Sequence, residues 1–162
     1  MSGAPSVTGG SASREREILR SIVKSFLLKR MGKHLSRSCQ PVDEKASALV
    51  LTPHFDDETL GCGSTILRKR SAMAPVYLVF CTDGTASHRH LMEPEELSRI
   101  RHAEAIEAAD ALNVPSENIH FLDFPDGRLQ QFTEQGIEML ADILANRKPR
   151  QVFIPALEEP PL

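Results

Sequence analysis

The chain has 162 residues, 41% hydrophobic and 25% charged, with a net charge of −3, a composition that fits one globular domain. Its charge is uneven: Arg14 to Arg37 hold eight Lys/Arg against two Glu, leaving residues 38–162 acidic by nine charges, which excludes nucleic acid as the main domain's partner. No apolar run approaches the ~20 residues of a membrane helix, and Cys39, Cys62 and Cys81 lack CxxC spacing, so a reduced, cytoplasmic setting is expected.

Residues 1–13 are rich in Gly, Ser and Ala and read as a disordered leader without the apolar core of a signal peptide. From Arg14 the apolar residues Ile18, Leu19, Ile22, Val23, Phe26, Leu27 and Met31 recur at helical spacing, with basic residues opposite. Such a helix can lie on an anionic membrane surface, meet a partner or pack on the domain, and the sequence leaves the three open. Residues 14–45 are therefore this basic helix plus a linker, and 46–162 the main domain.

Within that domain the chain alternates. Strands are expected at Ala48–Leu51, Val76–Cys81, Ile119–Leu122 and Val152–Ile154, and helices at Leu60–Ala72, Glu95–Leu112 and Thr133–Asn146. The near-continuous apolar run of Val76–Cys81 suits a strand covered on both faces. Strand and helix alternating at this spacing imply an α/β fold, a Rossmann-like three-layer sandwich with a mainly parallel sheet. Ligands of such sheets bind beyond the carboxyl ends of the strands.

Beyond the first strand lies Thr52-Pro53-His54-Phe55-Asp56-Asp57-Glu58. Four ionisable groups at the mouth of a buried strand are costly unless a cation offsets their desolvation. In a helical turn His54 and Asp57, three apart, share one side, and imidazole and carboxylate are both ordinary zinc ligands. Asp56 would point elsewhere, able to reach a water, and Glu58 would orient a ligand or an amide. The plainer alternative is an acidic N-terminus for the next helix, with Asp56 or Asp57 capping and His54 incidental.

PHFDDETLGCGSTI resembles the PHPDDE-type signature of the PIG-L/LmbE deacetylases. TDGTASH (Thr82–His88), the Arg101-His-Ala-Glu104 segment with AIEAADALNV, and FLDFPDGRL follow in the family's order. The resemblance implies a zinc-dependent N-deacetylase acting on an N-acetylglucosamine-containing glycolipid, glycoside or polysaccharide precursor. It implies His54 and Asp57 as zinc ligands, Asp56 as general base, and Arg101, Asp126, Asp83 and His88 at the acetylated amino-sugar substrate. The family's third ligand is a histidine of an H-x-x-H or H-P-D-H motif after the fourth strand. Here the fourth strand is followed by Ala156-Leu-Glu-Glu-Pro-Pro-Leu162. The expectation is thus an incomplete zinc site, a C-terminally incomplete fold and little or no turnover by these residues alone.

Two other readings compete: a non-catalytic sugar-binding module of the same fold, and a methyltransferase suggested by the Gly-rich LGCGST. The latter loop should directly follow a strand ending in an acidic residue, whereas here it falls inside the expected helix. GCGST does not supply the G-x-S-x-G of a serine hydrolase elbow.

Overall fold

The computed structural model describes residues 41–86 and 92–155. The leader, the basic helix expected over 14–37 and His88 lie outside these residues. The described elements are β1 (Ala48–Thr52), α1 (Asp57–Ser71), β2 (Val76–Thr82), α2 (Pro94–Ala111), β3 (Ile119–Phe124), α3 (Thr133–Arg147) and β4 (Gln151–Phe153). Two short 3-10 turns, Ser116–Asn118 and Leu129–Phe132, precede β3 and α3.

The four strands form one parallel sheet in the order β3-β2-β1-β4. Alternation along the strands divides the core. Val50, Val76, Leu78 and Phe80 pack with Ile66 of α1 and with Ala105 and Ala109 of α2. Leu49, Val79, Cys81, Leu122 and Phe124 face the other way, against Met139, Leu140, Ile143 and Leu144 of α3. Helices thus cover both faces, as the apolar runs require. The small side chains Ala105 and Ala109 are buried and let α2 lie close to the sheet.

The strand order reverses beside β1. From β1 the chain moves outward through β2 to β3, then crosses back to place β4 on the other side of β1. The carboxyl ends of β1 and β4 therefore flank the switch point at which an open α/β sheet leaves a crevice. His54 follows β1 directly.

Helices α1 and α2 end alike. Met73 (φ 61°) and Asn113 (φ 58°) adopt the left-handed conformation. Their amides donate to Arg70 O and Asp110 O, and the next amides, of Ala74 and Val114, donate to Lys69 O and Ala109 O. These are Schellman caps, which satisfy carbonyls that the helix end would otherwise leave unpaired.

The basic stretch Arg68-Lys69-Arg70 does more than complement a helix C-terminus, because Lys69 is buried (1% exposed). Its ammonium donates to Asp43 O, Ala46 O and Gln151 Oε1, tying α1 to the approach to β1 and to β4. Burial pushes the Lys69 ammonium below the ordinary lysine range, opposed by the charges of Asp43 and then Glu44. Three oxygen acceptors make this buried cation tolerable.

Candidate active site

The turn after β1 is fixed before its acidic residues begin. Thr52 Oγ1 donates to Val79 O (3.2 Å), and Pro53 O accepts from both Thr82 N (3.2 Å) and Thr82 Oγ1 (2.7 Å). The buried threonine that ends β2 thus anchors the residue preceding His54. Phe55 is then driven inward (7% exposed). Its ring lies 5.1 Å from Phe80, 5.8 Å from Phe121 and 5.2 Å from His102. With Phe55 buried, its neighbours His54 and Asp56 are left outward, and both are exposed.

Gly84 makes this packing possible. At its φ of +69° an added Cβ would fall 2.7 Å from Phe55 Cδ2 and 3.4 Å from Arg101 Cγ. The ring is held in an aromatic stack and cannot retreat cheaply, so both the conformation and the close approach call for glycine here.

His54 and Asp57 do share one side of the turn. The His54 amide donates to Asp57 Oδ2 (3.0 Å), and His54 Nδ1 lies 3.4 Å from the same oxygen. A second carboxylate arrives from the β3 exit: Asp126 Oδ1 is 3.6 Å from His54 Nε2. The imidazole therefore stands between two carboxylates, one at each nitrogen. Asp126 is buried (8% exposed).

Asp126 is itself positioned. Its amide donates to Asp83 Oδ1 (3.1 Å), and its Oδ2 accepts from Ala86 N (3.1 Å). Asp83 Oδ1 also accepts from Thr85 N (3.0 Å) and Thr85 Oγ1 (2.9 Å). The Asp83 oxygen thus folds the TDG turn and couples it to the Asp126 loop.

Asp56 is the N-cap residue of α1 yet makes no side-chain capping hydrogen bond. Among the described residues its carboxylate has no hydrogen-bond partner, so the capping alternative does not describe Asp56. Asp57 does bond a backbone amide, that of His54. Glu58 is buried (2% exposed) and accepts from Thr59 Oγ1 (2.7 Å), while its Oε2 has no partner among the described residues. Among the described residues it does not hydrogen-bond His54 or Asp57.

Arg101 reaches the turn from α2, donating to Phe55 O (3.3 Å) and pairing with Glu104 (3.0 Å). Its Nε is buried without a partner among the described residues. The arginine therefore combines the local helix pair expected of an i,i+3 spacing with a contact to the candidate site.

His54 and Asp57 line a cleft of about 490 Å³ with Leu51, Gly61, Phe153 and Pro155, between the ends of β1 and β4. Cys81 lies near enough for Asp57 to act on it: burial first, and then the Asp57 charge, push the Cys81 thiol up to about 11. Burial, and then Glu58, also raise Cys62. Both thiols are therefore held protonated at neutral pH, unlike reactive cysteines.

Imidazole and carboxylate are the donor types zinc takes, and His54 and Asp57 present one of each at a 3.4 Å contact. Among the described residues no group of three His, Cys, Asp or Glu is placed to hold a metal ion together. The residues present fit two positions of a zinc site. Sequence reasoning placed Asp126 at the substrate but missed its contact with His54, because nothing in the spacing shows which loops meet.

The architecture agrees with what the chain resembles. A sequence profile described as PIG-L, GlcNAc-PI de-N-acetylase, matches residues 49–160. The diacetylchitobiose deacetylase of Thermococcus kodakarensis is 27% identical over 117 residues, 72% of this chain and 43% of that protein. The structure of N,N'-diacetylchitobiose deacetylase from Pyrococcus horikoshii superposes with a TM-score of 0.61 at 30% identity, covering 66% of this chain and 39% of that one. The conserved protein TT1542 from Thermus thermophilus does so with a TM-score of 0.57 at 33% identity, covering 70% and 48%. The chain spans less than half the length of these relatives. With the profile matching well over half of its residues, the chain belongs to the PIG-L, or GlcNAc-PI de-N-acetylase, family.

Proposed function

We propose that this chain carries the active end of a zinc-dependent N-deacetylase that hydrolyses the acetamide of an N-acetylglucosamine-containing glycolipid, glycoside or polysaccharide precursor. The observation that carries the reading is the placement of His54 between Asp57 and Asp126 at the sheet's switch point, with the carboxylate of Asp56 uncapped beside them. Two diacetylchitobiose deacetylases among the relatives support the reaction class.

His54 and Asp57 would hold the zinc ion. When bound there, zinc supplies a Lewis acid that polarises the amide carbonyl and stabilises negative charge on its oxygen. The chain's own residues supply the proton traffic. Asp56, exposed and uncommitted, accepts a proton from water as its oxygen bonds to the carbonyl carbon. The same carboxyl group then returns the proton to the departing nitrogen as the C–N bond breaks, leaving acetate and the free amine.

Asp126 serves the substrate from beside His54, its Oδ1 lying 3.6 Å from Nε2. Arg101 serves the substrate from its place against Phe55 O, where α2 meets the turn. Asp83 serves the substrate through the loop it folds, and His88 is assigned to the substrate on the TDGTASH motif alone. The expected cytoplasmic setting belongs to this proposal; among the described residues no helix is long and apolar enough to cross a membrane.

Two protein donors hold zinc weakly, so the test supplies the metal in excess. Acetate release from N,N'-diacetylchitobiose by the 162-residue chain should be very low without added zinc and should rise with it. Acetate release that does not respond to zinc, together with no zinc bound at saturating metal, would count against the reading and favour a sugar-binding module.

A further inference from the structure

We propose that His102 and Asp123 form a positioning clasp that sets the loop carrying Asp126 against His54. The inference rests on the functional reading above for its purpose, and on independent geometry for its existence.

Strand β3 has an irregularity near its end. Phe80 pairs with Phe121, but Thr82 pairs with Phe124, so β3 holds one more residue than β2 between these positions. Asp123 sits in that interval with φ at +54°. An extra residue in a left-handed conformation makes a bulge, a device that redirects the chain beside functional sites. Beyond it the β3 exit meets the β2 exit: Asp83 N donates to Phe124 O (2.9 Å), Asp126 N to Asp83 Oδ1, and Asp126 reaches His54.

A left-handed aspartate is tolerated but not preferred, so something must hold it. His102 Nε2 lies 2.8 Å from Asp123 Oδ1. The ring's other nitrogen, Nδ1, lies 2.7 Å from Ser98 O, one helical turn back in α2. Each nitrogen thus faces an oxygen, one on its own helix and one on the bulge. The ring plane is fixed by Phe121 at 4.3 Å and Phe55 at 5.2 Å. His102 is thus a rigid strut from α2 to the bulge. Because Arg101 is its chain neighbour, the same strut registers the arginine that reaches Phe55 O.

The clasp is tested in the full chain with Asp123→Gly, which removes the carboxylate while easing the positive φ, with His102→Phe, which keeps a ring in the stack, and with Asp123→Asn as the conservative variant. Amide hydrogen exchange at Asp126 and Ala86 reads the loop without reference to catalysis. Exchange at both should quicken about tenfold in Asp123→Gly and in His102→Phe, while the β1 and β2 amides keep their protection. Asp123→Asn should restore part of the protection.

In zinc-supplemented assays KM should rise about fivefold with kcat changed less than twofold, the pattern of weakened substrate positioning. Unchanged exchange at Asp126 and Ala86 in both Asp123→Gly and His102→Phe would overturn the clasp. Quickened exchange in a chain that neither binds zinc nor answers to it in acetate release would uphold the clasp and count only against the proposed reaction.

Discussion

Replacing Asp56 by Asn should lower zinc-supplemented acetate release by a factor of about 10²–10⁴, the range general-base catalysis contributes. The fold should barely notice. Asp56 is exposed, its side chain makes no capping bond, and asparagine is as good an N-cap residue as aspartate. Asn keeps the shape of the side chain but cannot take a proton from water. The melting temperature should therefore stay within about 2 °C while the rate collapses. Zinc affinity should also hold, because the carboxylate assigned to the metal is Asp57. A variant retaining most of its activity would remove Asp56 from the mechanism, and a variant that lost zinc would make it a ligand.

The second large effect is on stability. Phe55→Ala should cost about 3 kcal/mol, within the range for truncating a buried aromatic. The ring is nearly inaccessible and touches Phe80, Phe121 and His102, so its loss leaves a cavity bordered by residues from β2, β3 and α2. For a domain of this size the melting temperature should fall by about 10 °C. Phe55→Leu refills most of the volume and should cost about 1 kcal/mol. The two variants separate packing from chemistry: Phe55→Leu should keep zinc affinity, whereas Phe55→Ala should weaken it, because the buried ring is what turns His54 and Asp56 outward. Denaturant titration followed by circular dichroism would read the stability change.

Much of the architecture is legible in the sequence because burial on both faces writes itself as continuous apolar runs. Val76-Tyr-Leu-Val-Phe-Cys81 suits a strand covered on both faces, and it is one, extended by Thr82 and flanked by β1 and β3. Helix α1 starts at Asp57, three residues before its expected Leu60. The acidic residues there serve two ends, lying in the first turn of a helix and in the candidate site, and the apolar pattern that marks a helix does not begin until later. The local pair His54–Asp57 was readable because three residues make one turn.

Contacts between loops were not. Asp126 meets His54, and Asp83 holds Asp126, through the order of strands in the sheet, which no local pattern encodes. Lys69 shows the same limit from the opposite side. Its acceptors are two backbone carbonyls and an amide oxygen of the distant Gln151, so nothing in Arg68-Lys69-Arg70 distinguishes the buried lysine from its neighbours. Nothing in the sequence pairs His102 of α2 with Asp123, which β3 brings to it.

The account depends on His54 and Asp57 binding one divalent ion together. Zinc titration of the 162-residue chain against a competing chelating dye tests this without any need for turnover. We expect one zinc per chain, with affinity falling at least about tenfold in His54→Ala and again in Asp57→Ala. Equal zinc affinity in the parent chain and both variants would contradict it, because the ion would then be held by other groups.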